Sequence, residues 1–117
     1  MNHEQHLQEC LQRCQECHVI CIETAQHCLQ RGGKHAGADH IRLLLDCADI
    51  CQTSADFLMR GSPRHVSTCK VCAEICSACA DSCERFDSQD AMMKKCVEMC
   101  RSCAESCHQM AQMKAAA

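Results

Sequence analysis

Cysteine recurs along this chain at alternating intervals of four and three residues, and the positions between are mostly polar. The first run is Cys10, Cys14, Cys17, Cys21 and, after a step of seven, Cys28. Cys47 and Cys51 make a second run, and Cys69, Cys72, Cys76, Cys79 and Cys83 a third. Cys96, Cys100, Cys103 and Cys107 make the fourth. A mean interval of about 3.5 residues is the spacing of a buried seam in a helical bundle. The intervening residues, such as Gln12, Arg13, Gln15 and Glu16, or Lys94, Lys95, Glu98 and Arg101, suit a solvated face. Thiols therefore stand where Leu and Ile would ordinarily form the core. Strand-type alternation is absent, and the spacers are good helix formers.

Breakers divide the pattern into four. Gly32, Gly33 and Gly37 cluster in one stretch, and Gly61 precedes Ser62 and Pro63. Gly61 suits the end of a helix, and Ser62–Pro63 suits an N-cap followed by a first helical residue. Asp39 suits the N-cap of the second helix, and Asp87 or Ser88 that of the fourth. The expected helices cover about 3–31, 39–60, 63–86 and 89–114. Short connections favour antiparallel neighbours. The expected fold is all-α: one domain over 1–117, an antiparallel up-down-up-down four-helix bundle with a cysteine-lined core. Residues 72–79 and 96–103 also look like an internal repeat.

Composition sharpens this picture. The chain has 117 residues, 16 of them Cys, with two Phe and no Trp or Tyr. The net charge is −3, with no basic stripe and no aromatic interleaving, which argues against nucleic acid as a partner. No apolar run reaches the length of a membrane span. The N-terminus lacks the basic start and apolar stretch of a signal peptide, so the chain reads as cytoplasmic, where thiols stay reduced.

Three chemistries compete for the thiols. A disulfide framework suits them poorly, because neighbours three or four apart on one helix point the same way and close bridges badly. An iron–sulfur site of ferredoxin type needs a loop run ending in Cys-Pro, which is missing. Soft-metal binding fits. Side chains at i and i+4 have Cβ atoms roughly 5–6 Å apart. Two metal–sulfur bonds of about 2.3 Å span a comparable distance, enough for near-linear coordination of Cu(I). Four converging seams also permit tetrahedral sites, so the geometry favours Cu(I) and leaves a zinc or cadmium reservoir open. Thiolates shared between ions would let one tube hold on the order of ten or more Cu(I). No Ser-His-Asp order or phosphate loop points to an enzyme. Cysteine also behaves as a small hydrophobe, so the bundle is expected to fold without metal.

Ions must enter at an end. Following the seam of the second segment backwards reaches Leu44 and His40, and that of the fourth reaches Met93, with Met92 beside it. These lie with Cys28, His27 and the glycine-rich connection holding His35. Imidazole and thioether both ligate copper, which makes this end the expected mouth. The candidate ligands are the sixteen cysteines with His40 and Met93. The opposite end gathers His3, His6, Leu7, Leu58, His65, His108 and Met110, with Leu7 and Leu58 as a plug. His18 and His35 are expected to be solvated surface residues, and Met110 and Met113 to be packing. Ile41, Leu43, Leu44 and Leu45 wrap more than one helix face, which suggests an interface.

The sequence resembles the bacterial copper storage proteins, specifically the cytosolic, cysteine-lined four-helix type. The resemblance rests on Cys10-Leu-Gln-Arg-Cys-Gln-Glu-Cys17, Arg42-Leu-Leu-Leu-Asp-Cys-Ala-Asp-Ile-Cys51, Cys69-Lys-Val-Cys-Ala-Glu-Ile-Cys-Ser-Ala-Cys79 and Cys100-Arg-Ser-Cys-Ala-Glu-Ser-Cys107. It implies multiple Cu(I) ions held by thiolates inside the bundle, a homotetramer, and no catalysis. The second segment departs from the pattern, with only two thiols and with Leu44, Ser54 and Leu58 in the same register.

Overall fold

The computed structural model describes residues 2–86 and 89–113. The helices are α1 (His3–Arg31), α2 (Ala38–Met59), α3 (His65–Phe86) and α4 (Ala91–Ala111), with a short 3-10 helix, Gly33–Ala36, between the first two. Each long helix packs on its neighbours in chain order, and α4 closes on α1. Contacts between the seams run in opposite directions on neighbouring helices, so the bundle is antiparallel. Cys10 and Cys21 of α1, for example, meet Cys107 and Cys100 of α4. The molecule is a rod of 50 × 22 × 17 Å. Among the described residues there is no strand, and no helix is long and apolar enough to cross a membrane.

The helix ends show which local signals governed folding. Asn2 caps α1 with a full capping box, its side chain accepting from the Gln5 N–H while the Gln5 side chain accepts from the Asn2 N–H. Gly61 ends α2 at φ +65°, with Gly61 N–H on the Leu58 carbonyl and Ser62 N–H on that of Phe57. This double closure of orphan carbonyls needs a left-handed residue, and glycine takes that conformation without strain.

Three expected boundaries are corrected. Regular α3 begins at His65 instead of Pro63, because the first turn is 3-10-like. His65 N–H reaches the Ser62 carbonyl, while the Ser62 hydroxyl still accepts from the Arg64 N–H. Asp39 does not cap α2. It lies inside the first turn and pairs with Arg42 at 3.1 Å, and the cap position is Gly37. The cap of α4 is Asp90, whose carboxylate accepts from the Met93 N–H at 3.1 Å, so the helix starts at Ala91 instead of 89. The alternative caps Asp87 and Ser88 lie outside the described residues, as does the expected end of α4 at 114.

Candidate metal centre

The 3.5-residue repeat keeps one stripe of each helix turned toward the bundle axis. On those stripes all sixteen cysteines are buried, fifteen with no exposure and Cys83 with 1%. All sixteen are free thiols. Their sulfurs form a ladder. Cys10 and Cys14 lie 3.7 and 3.5 Å from Cys107, and Cys103 lies 3.8 Å from Cys14. Cys51 joins Cys103 at 3.9 Å and Cys76 at 3.6 Å. Cys47 joins Cys76 at 3.6 Å and Cys17 at 4.0 Å. Cys17 and Cys21 both lie 3.7 Å from Cys100, which leads through Cys96, 3.8 Å away, to Cys83 at 3.9 Å.

These spacings specify coordination. With bonds of about 2.3 Å, a tetrahedron separates its sulfurs by roughly 3.8 Å, a trigonal site by roughly 4.0 Å and a linear one by roughly 4.6 Å. The i, i+4 pairs Cys17–Cys21 and Cys72–Cys76 stand at 3.9 and 3.7 Å. They are therefore closer than a near-linear site on one helix requires. Sulfurs from several helices instead converge in overlapping quartets, each within 4.8 Å: Cys14, Cys72, Cys103 and Cys107; Cys17, Cys47, Cys51 and Cys76; Cys21, Cys79, Cys96 and Cys100. Cys17, Cys47 and Cys51 also belong to neighbouring quartets, so one sulfur can bridge two ions.

Hydrogen bonds among the packed thiols split their acidities: those to Cys100 lower Cys17 and those to Cys103 lower Cys72. Hydrogen bonds to Cys10 push the Cys107 thiol up, and those to Cys103 push up Cys76, with burial adding to both. Burial, reinforced by the charge of Asp90, pushes Cys28 up to about 11. At Cys28 a metal must therefore displace a proton, and its affinity there depends on pH.

One end of the ladder carries mixed ligands. Cys28 Sγ lies 3.5 Å from His40 Nε2 and 3.5 Å from Met93 Sδ. His40 is 4% exposed and Met93 1%. The other His40 nitrogen, Nδ1, lies 2.8 Å from the Ser82 hydroxyl, which orients the ring so that Nε2 faces the sulfur. Burial lowers the His40 pKa, favouring the neutral imidazole that a metal needs. Phe86 packs on this ring with centroids 4.3 Å apart. Asp90, buried against α1, accepts hydrogen bonds from His27 Nε2 at 2.7 Å and Arg31 at 2.8 Å. Burial pushes its carboxyl up, but these bonds and the Met93 N–H outweigh that and hold it at about 2.

Other candidates fall elsewhere. Met92 is half-buried at the core edge. His27 serves Asp90. His18 is half-buried instead of solvated, and its Nδ1 meets the Ala48 carbonyl at 2.7 Å. His35 is not a free surface side chain either: its Nε2 is buried without a partner and its ring stands 5.5 Å from Phe86. At the opposite end Leu58 and Met110 are buried and Leu7 packs partly against them. His65 is buried too, but its two nitrogens face the Ser62 and Met113 carbonyls at 2.8 and 3.1 Å. His108 is exposed and pairs with Gln112. Ser82, Phe86 and Asp90 escaped the sequence reading. Nothing in the chain foretold Ser82 beside His40.

Comparison with known proteins agrees with this geometry. The family model described as copper storage protein matches residues 3–112. The crystal structure of a protein from Nitrosospira multiformis is 50% identical, covers 92% of this chain and 96% of its own, and superposes with a TM-score of 0.87. Cu(I)-bound copper storage protein BsCsp3, from Bacillus subtilis, is 32% identical, with coverages of 91% and 98% and a TM-score of 0.83. A cytosolic copper storage protein from Streptomyces lividans, solved with five coppers, is 28% identical, with coverages of 93% and 94% and a TM-score of 0.85.

Proposed function

The chain belongs to the copper storage protein family, and from that premise we propose how it holds its cargo. It stores multiple Cu(I) ions on thiolates lining the bundle core. The observation that carries this reading is the ladder of buried free thiols. Soft sulfur selects Cu(I) over hard cations. Each thiol that takes an ion gives its proton to solvent, and shared sulfurs let the ions pack closely. We assign as ligands the sixteen cysteines together with His40 and Met93. Cys28, His40 and Met93 form the entry site, supported by their mutual contact and by the aromatic and ionic collar of Phe86 and Asp90.

The protein acts by sequestration without catalysis, in keeping with the copper storage family to which it belongs. Its site of action is the cytoplasm, as the description of the Streptomyces relative suggests. It assembles as a homotetramer and folds as one domain over its length. Exposed apolar side chains, among them Val19, Leu29, Leu45 and Met59, supply surface for such an assembly.

Titration of reduced metal-free protein with Cu(I) against a competing chelator tests storage. Many equivalents should load per chain. Uptake of only one or two would replace storage with a delivery or sensing role.

A further inference from the structure

Two buried hydroxyls stand where the seam would otherwise place sulfur. Thr24 fills the missing rung in the step of seven, three residues after Cys21 and four before Cys28. Ser54 follows Cys51 by three and precedes Leu58 by four. Both residues have no exposure, and both side-chain oxygens lack any hydrogen-bond partner. A buried hydroxyl without a partner costs free energy, and threonine in a helix commonly avoids the cost by bonding a carbonyl one turn back. Neither residue does so.

The register shows what they sit beside. On α1 and α4, Cys21 meets Cys100 and Cys28 meets Met93. Thr24 therefore lies level with Cys96, which meets Cys83. On α2 and α3, Cys51 meets Cys72, so Ser54 one turn on lies level with Cys69. That is the level at which Cys10 meets Cys107. One hydroxyl thus stands near each end of the thiol ladder, Ser54 at the last rung and Thr24 one turn inside Cys28.

We infer that Thr24 and Ser54 are hydrogen-bond donors for copper-bound thiolates at the two ends of the ladder. This rests on the storage reading. A hydroxyl oxygen is a hard, poor ligand for Cu(I), so the residues act on the sulfurs, as positioning residues. A protonated thiol sulfur is a weak acceptor. When an ion replaces a proton, the sulfur becomes a thiolate. End layers share their sulfurs with fewer ions than inner layers and so retain the most negative charge. A hydrogen bond to a charged acceptor is about twice as strong as a neutral one, and more so in a dry core. The cost carried by the empty protein is then returned when it fills.

The double variant Thr24→Val, Ser54→Ala tests this, with the isosteric Thr24→Val alone as the measurement if the double variant does not fold. Wild type is loaded first; if it takes only one or two ions, the storage reading fails before the donors are tested. Given full loading, the metal-free variant should melt a few degrees higher than wild type, because orphan hydroxyls are gone. It should bind the same number of ions, yet lose the most weakly held of them to a competing chelator about tenfold more readily. Thr24→Ser and Ser54→Thr, which keep the hydroxyl, should restore wild-type retention. Unchanged retention in the variants, a lower melting temperature for the metal-free form, or no rescue by the conservative pair would each overturn the inference.

Discussion

The two ends of the bundle use similar residues to opposite effect. Each buries a histidine and a methionine beside the last cysteines. At one end His40 turns Nε2 to Cys28 while Ser82 holds Nδ1, and Met93 presents its sulfur to the same thiol. At the other, His65 has both nitrogens on backbone carbonyls, and Met110 and Leu58 fill the space. His65 has no nitrogen left for a metal, so it fastens the chain. Burial does not distinguish the two histidines. Their second hydrogen-bonding partner does, because it decides whether a lone pair reaches the channel.

On the proposed entry site, this contrast would make one end structural and the other chemical, and substitutions should separate them. The largest effect belongs to the filled end. Leu58→Ala should cost about 2–5 kcal/mol in denaturant unfolding of the metal-free protein, since it leaves a cavity. Met93→Leu at the proposed entry end conserves volume and should cost less than about 1.5 kcal/mol. Equal costs would erase the distinction. Next, His40→Ala combined with Met93→Leu should slow Cu(I) uptake in stopped flow by about tenfold, equivalent to about 1.4 kcal/mol in the barrier. Leu58→Ala should leave that rate within about twofold; faster uptake would show that the far end also admits ions.

Acidity sharpens the comparison further. With its pKa raised to about 11, Cys28 carries a proton at neutral pH and must release it to bind. Lowering the pH therefore weakens the entry site, by about tenfold per unit while the thiol remains protonated in the free protein. Chelator competition at a series of pH values measures the slope. A flat profile would show that the ion enters without displacing this proton. The smallest effect is local. Asp90→Ala removes the N-cap of α4 and should cost about 1 kcal/mol by thermal or chemical melting.

Much of the architecture was legible because the 4-3 interval is a direct record of helical periodicity. Gly61 likewise marked a real helix end, since its positive φ follows from local sterics. What escaped was the choice among equivalent local partners. Asp87, Ser88 and Asp90 are all acceptable N-caps by composition. Asp90 is selected because α1 brings His27 and Arg31 to its carboxylate. His18 likewise looked solvated from its place between seam positions, until α2 put the Ala48 carbonyl within 2.7 Å. The ligand seam was readable while the outer partners were not, because periodicity places residues on a face whereas hydrogen bonds depend on the neighbouring helix.

A sulfur ladder with one working end has an order of service. If the proposed entry site at Cys28 is the one entrance, copper that arrives first is handed down toward Cys10 and Cys69, and later arrivals wait above it. Withdrawal from the top then returns the newest metal first and the oldest last. Such a molecule keeps a memory of its supply, with a quickly exchanging fraction near Cys28 and a slow deposit beneath. Pulses of two copper isotopes would show the layering directly.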